Sequence, residues 1–105
     1  MSKYLTEFIG TFFLILTIGL VVIAPGAGDL APLAIGAVLT VMIYAGGPIS
    51  GAHYNPAVTI GAIVAGKCEF KDAVVYVIMQ FLAAIAAAQV VAILKPGALV
   101  TAASI

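Results

Sequence analysis

The stretch Ser50–Thr59, SGAHYNPAVT, places an imidazole at His53 and a carboxamide at Asn55 just before Pro56, in otherwise apolar surroundings. Asparagine directly before proline is a helix-start signal. The Asn side chain caps a free backbone N–H, and proline at the first helical position has none to leave unpaired. The simplest role for Asn55 is that N-cap. His53 is either a structural hydrogen-bonder or a functional group beside the cap. Two more polar side chains, Glu7 and Gln80, sit in apolar stretches. A carboxylate within a membrane segment is costly and is functional or structural by default. Glu7 therefore admits three roles: a proton-coupled binding group, a buried acceptor, or a carboxylate near a helix start that reaches back to water. The single cysteine, Cys68, excludes an internal disulfide and a multi-thiolate metal site, and reads as a small half-buried residue near a membrane surface. No cofactor and no metal is expected.

The elements that position these groups follow from hydropathy. The chain has 105 residues, of which 65% are hydrophobic and 8% charged, and its mean hydropathy is +1.31. A soluble domain of this size cannot hide so much apolar surface. Phe8–Gly28, Leu30–Gly66 and Ala73–Leu94 carry no Asp, Glu, Lys or Arg, and about 20 apolar residues suffice to span a bilayer. The chain thus reads as an integral, multi-pass membrane protein. Zero net charge and the absence of arginine argue against a nucleic-acid partner. The N-terminal segment reads as a membrane helix rather than a signal peptide, having Glu7 and no convincing cleavage site.

The first helix is expected over about residues 4–24, ended by APGAGD, and the second over about 30–47, ended by Gly46, Gly47 and Pro48. The third span is expected over about 71–94, between GKCEFKD and LKPG. Residues 49–66 remain. If 49–54 are extended, the helix beginning at Pro56 has about three turns, roughly half of a core about 30 Å thick. The charged residues Lys67, Glu69, Lys71 and Asp72 follow at once. The simplest geometry is re-entrant: the chain dips in, turns at Asn55 near the midplane and returns to the same face. Irregular backbone at that depth must be buried in protein or line a watery cavity. An interfacial helix lying flat on the membrane is the alternative.

At these residues the sequence resembles the aquaporin, or major intrinsic protein, family. SGAHYNPAVT is similar to the family's first Asn-Pro-Ala loop, TEFIGTFFLILTIG to its first helix and YVIMQFLAA to its third. The resemblance implies an all-α membrane protein of three transmembrane helices plus one re-entrant half-helix, equivalent to one aquaporin repeat. Family members carry two such halves as an inverted repeat, whereas this sequence has one Asn-Pro-Ala and closes ten residues after Lys95. The expectation is assembly with a second copy in inverted orientation, or with a separate partner half. Lys3, Lys67 and Lys71 fall on one side and Lys95 on the other, a weak bias that permits both orientations. By analogy with the family's tetramers, four such dimers would gather into an octamer. The expected setting is the lipid bilayer of the cell, or inner, membrane.

The resemblance also implies a passive channel for water or small neutral solutes such as glycerol, and not an enzyme. Two half-helices meeting end to end would repel cations from the centre, and the Asn55 amides would orient a passing water molecule. Asn55, Pro56, Ala57 and His53 form this expected pore motif, with Glu7 and Gln80 bracing the loop. The family's filter positions correspond to Ile35, Ile43, Ala52 and Val58, an apolar constriction in which Val58 stands where the family's second loop usually carries arginine. The small residues Ala83, Ala84, Ala86, Ala87 and Ala88 allow close helix approach. Rival functions are a proton-coupled small-molecule exporter using Glu7 and a non-conducting membrane subunit.

Overall fold

The computed structural model describes residues 1–97. The described residues hold four α-helices: α1, Lys3–Val22; α2, Ala31–Ser50; α3, Pro56–Val64; and α4, Phe70–Leu94. Three of them, α1, α2 and α4, are long and apolar enough to cross a membrane, while α3, with nine residues, rises only about 14 Å. The chain is therefore an all-α unit of three spans and a half-helix, with a long dimension of 41 Å. That matches a bilayer about 40–45 Å thick including headgroups.

Local chemistry sets the ends. The Ser2 hydroxyl accepts from the Leu5 N–H and caps α1. Asn55 caps α3 from an extended backbone, its Oδ1 accepting from the Ala57 N–H at 2.7 Å. The helix expected to stop at residue 47 continues through Pro48 to Ser50. Proline disfavours a helical predecessor through clashes with that residue's N–H and Cβ. Gly47 has no Cβ, which removes one of the two and eases the helix past Pro48. It stops one turn later at Gly51, whose φ of 87° is left-handed and whose N–H closes on the Gly47 carbonyl. Nor is the following segment the extended strand expected over 49–54. Ala52 and Tyr54 also adopt positive φ, 54° and 57°, so the chain coils tightly before it reaches Asn55.

α1 and α4 run parallel and form the main seam. At one end Lys3 Nζ and the Tyr4 hydroxyl both donate to Asp72, at 2.7 and 2.6 Å. At the other, Lys95 Nζ donates to the carbonyls of Leu20, Ile23 and Pro25, supplying the α1 C-terminus with the cation it lacks in its own last turn. Between them Ala83 and Ala87 are fully buried, and a Cβ on Gly19 would press into Val91. Small residues let these backbones approach, as membrane helices require when lipid is as apolar as their own surfaces. α2 packs on α1 and α3 on α4, leaving a side open between α2 and α3.

Candidate functional site

Everything at the turn converges on Glu7. It is fully buried, and four donors fill its two oxygens. Oε2 accepts from the Ser50 hydroxyl at 2.7 Å and the His53 N–H at 3.1 Å. Oε1 accepts from the Tyr54 N–H at 2.8 Å and Gln80 Nε2 at 3.0 Å. A carboxylate offers about four lone-pair sites, so this one has none to spare. The two loop N–H groups cannot join a helix ladder because the backbone around them is left-handed, and the carboxylate stands in for that ladder.

Further bonds hold the turn to α4 and α2. The Tyr76 hydroxyl donates to the Ser50 carbonyl at 2.7 Å, and the Ser50 hydroxyl oxygen accepts from the Ala52 N–H. Tyr54 lies between α1 and α2, its hydroxyl on the Met42 carbonyl at 2.7 Å. Gly10 and Gly46 make room for it, since a Cβ at either would fall on the tyrosine ring or its hydroxyl. Thr59, also fully buried, sits at a junction with His53 Nδ1 at 3.0 Å, Gln80 Nε2 at 3.1 Å and the Asn55 carbonyl at 3.3 Å.

The motif residues occupy the open side. Asn55, Ala57 and Val58 are exposed, Pro56 partly so, and His53 and Ala52 lie half-buried in the turn. Among the described residues no donor reaches the carbonyls of Gly51 to Tyr54. The Ser50 carbonyl, one residue earlier, is taken by the Tyr76 hydroxyl. His53 lines a vestibule of about 570 Å³ together with Lys3, Lys67, Cys68, Glu69 and Asp72. Burial, and then the nearby Asp72 charge, push the Cys68 thiol above its ordinary range, so it is not an activated thiolate.

Ile35, Ile43, Ala52 and Val58 are not gathered into one ring within a single repeat. Ile35 and Ile43 are separated along α2 by about 12 Å, and Ala52 and Val58 belong to the turn and α3. Ile43 and Val58 are nearly half exposed.

Ser50, Tyr54, Thr59 and Tyr76 were not singled out from the sequence. Ser50 and Thr59 did carry a signal, being hydroxyls at the two ends of the motif. Nothing local pointed to Tyr76, whose partner lies on another helix.

Comparison with known proteins agrees with this geometry. The Major intrinsic protein family profile matches residues 1–104. A glycerol uptake facilitator protein-like 6 of Lactiplantibacillus plantarum is 46% identical over 92 residues, covering 87% of this chain and 43% of that protein. An aquaporin Z of Rhodopseudomonas palustris is 42% identical over 104 residues, covering 92% and 43%. An aquaporin NIP1-4 of Oryza sativa subsp. japonica is 39% identical over 102 residues, covering 92% and 37%. The chain thus spans less than half the length of these relatives. With an apolar three-span frame, a half-helix begun by Asn-Pro-Ala and a family match over nearly all its residues, this chain belongs to the major intrinsic protein family.

Proposed function

We propose that this repeat and a second one in inverted orientation enclose a passive pore for water and small neutral solutes, with Asn55 at its centre. The observation that carries the reading is the half-helix tip on the open side. Asn55 Oδ1 is tied to the Ala57 N–H, which leaves the amide Nδ2 as the free donor of an exposed side chain. The helix N-terminus behind it carries roughly half a positive charge, and the unpaired carbonyls of 51–54 supply acceptors along the approach. Together these would bind a neutral molecule with an oxygen to present and disfavour a cation.

An inverted partner has support in the shape of the repeat. A cavity of about 190 Å³ opens at Asn55 and Pro56 between Ile15 and Ala84. A neighbouring one of about 200 Å³ continues it past Gly19 to Ile23. The apolar groove between α1 and α4 thus runs on from the tip of α3 toward the opposite face, where an inverted repeat would bring its own half-helix. In such a pair Ile35 of one repeat would meet Ile43, Ala52 and Val58 of the other at each mouth. One relative is named for glycerol uptake and others are named aquaporins, so both solutes belong to the proposal.

The exporter reading needs Glu7 to exchange protons with water. Complete burial and four hydrogen bonds speak against that role.

Reconstitution of the chain in proteoliposomes, followed by stopped-flow light scattering, tests the proposal. Water and glycerol fluxes should exceed those of empty liposomes and ignore an imposed proton gradient. Flux from this chain alone assigns the second repeat to an inverted copy, whereas flux only with a separately supplied second half assigns it to that half. Flux that requires the proton gradient restores the exporter, and flat responses under every condition indicate a non-conducting subunit. Val58→Arg should slow glycerol severalfold more than water. If both rates stay at the parent value, the constriction lies elsewhere.

A further inference from the structure

We infer that Thr59 is a positioning residue whose hydroxyl proton, directed by the state of His53, decides how firmly Asn55 is held. The inference rests on the channel reading above and concerns regulation of the same site.

Thr59 Oγ1 has one proton and two lone pairs, and three groups surround it. Gln80 Nε2 must donate, because the orientation of that amide is set by the Glu7 carboxylate, which accepts only N–H or O–H donors. One lone pair is thereby used. The remaining lone pair and the proton are divided between His53 Nδ1 and the Asn55 carbonyl, and a carbonyl can only accept. If His53 carries hydrogen on Nδ1, it donates to Thr59, whose proton then goes to the Asn55 carbonyl. If Nδ1 is bare, Thr59 gives its proton to the imidazole, and the Asn55 carbonyl keeps only the Thr59 N–H at 3.1 Å.

Protonation removes the ambiguity. An imidazolium has hydrogen on both nitrogens, so His53 in its charged form always directs the Thr59 proton to Asn55. Neutral imidazole divides between two tautomers, and only one of them does so. His53 lines the open vestibule beside the charged Lys3, Lys67, Glu69 and Asp72, large enough to admit water, which gives it a route to exchange protons. The groups facing it are Lys3 and Glu7 from α1, Asp72 and Tyr76 from α4, and Lys67, Cys68 and Glu69 from the α3–α4 turn. Its ring meets Tyr76 edge-on at 5.0 Å. Water and glycerol are uncharged, so a change in their flux reads the position of Asn55 and not the vestibule's net charge.

Stopped-flow water permeability of the reconstituted protein from pH 5.5 to 8 is the first test. The parent should conduct faster at the acid end, by up to about twofold where the neutral imidazole divides evenly between its tautomers. Thr59→Val should show no pH response and conduct at or below the parent's alkaline level, and Thr59→Ser should restore the response. A flat parent profile, or a response that survives Thr59→Val, overturns the inference. An absence of flux at every pH is a failure of the channel reading instead. A second measurement then decides the inference alone. The chain has one histidine, so histidine ¹⁵N spectra of the lipid-embedded protein report His53 without overlap. Thr59→Val should move the Nδ1 resonance and Thr59→Ser return it; an Nδ1 signal indifferent to Thr59→Val refutes the junction.

Discussion

Glu7→Ala is expected to destroy the folded repeat. The Ser50 hydroxyl can turn to the Gly46 carbonyl, already 3.4 Å away. The His53 and Tyr54 N–H groups and one proton of the Gln80 amide have no such exit. Each buried donor left unpaired costs about 1–3 kcal/mol, so three cost about 3–9 kcal/mol before the new cavity is counted. Whole domains are stable by only about 5–15 kcal/mol. Glu7→Gln keeps the shape but offers one oxygen where four donors converge, and its own N–H groups would face others. It should fall between the parent and Glu7→Ala. Thermal unfolding in detergent, followed by circular dichroism, measures the series. A Glu7→Ala protein melting within a degree or two of the parent would show that the carboxylate does not hold the turn.

The second large effect concerns the seat of Tyr54. Its N–H is on Glu7, its hydroxyl is on the Met42 carbonyl, and its backbone is left-handed, so the ring has nowhere to withdraw. Gly10→Ala would drive a methyl into the ring carbons, whereas Gly46→Ala would drive one into the hydroxyl. Overpacking of this kind typically costs about 1–3 kcal/mol and occasionally more. The two sites should be distinguishable through Tyr54→Phe. Removing the hydroxyl frees the space at Gly46, apart from Thr6 Cγ2 at 2.9 Å and the ring Cζ at 3.2 Å. Gly46→Ala with Tyr54→Phe should therefore be more stable than Gly46→Ala alone, while Gly10→Ala should gain nothing from it. Additive behaviour at both glycines in a double-mutant cycle would contradict this packing.

Which parts of this could be read beforehand depends on the range of the interactions. Hydropathy is a local property, so the three spans were legible. The start of α3 was too, because an asparagine cap followed by proline is local chemistry. The end of α2 was misread because Pro48 outweighed the glycine before it, although that glycine removes one of the two clashes. The turn was misread as extended because Ala52 and Tyr54 do not ordinarily take positive φ. Glu7 holds the His53 and Tyr54 N–H groups from 46 and 47 residues away, and the Ala52 N–H rests on the Ser50 hydroxyl oxygen. The junction at Thr59 was invisible for the same reason: it needs α4 in place to supply Gln80. Polar residues embedded in apolar runs were the usable clue, and it drew attention to Glu7 and Gln80 but was not followed to Ser50 and Thr59.

The separation between Glu7 and its donors has a consequence in time. Its partners follow 43, 46, 47 and 73 residues later. At a synthesis rate of about 5–20 residues per second, Gln80 emerges roughly 4–15 s after Glu7. Until Ser50, His53 and Tyr54 arrive the carboxylate must stay hydrated near the headgroups or share a proton, and its set of donors is complete only with Gln80. α1 is thus made well before the last of its donors and settles only when α4 supplies it. A nascent α1 that cannot sink fully would reach its final depth only when α4 arrives, and the cell's insertion machinery would meet it as an unfinished step while the elements between are made.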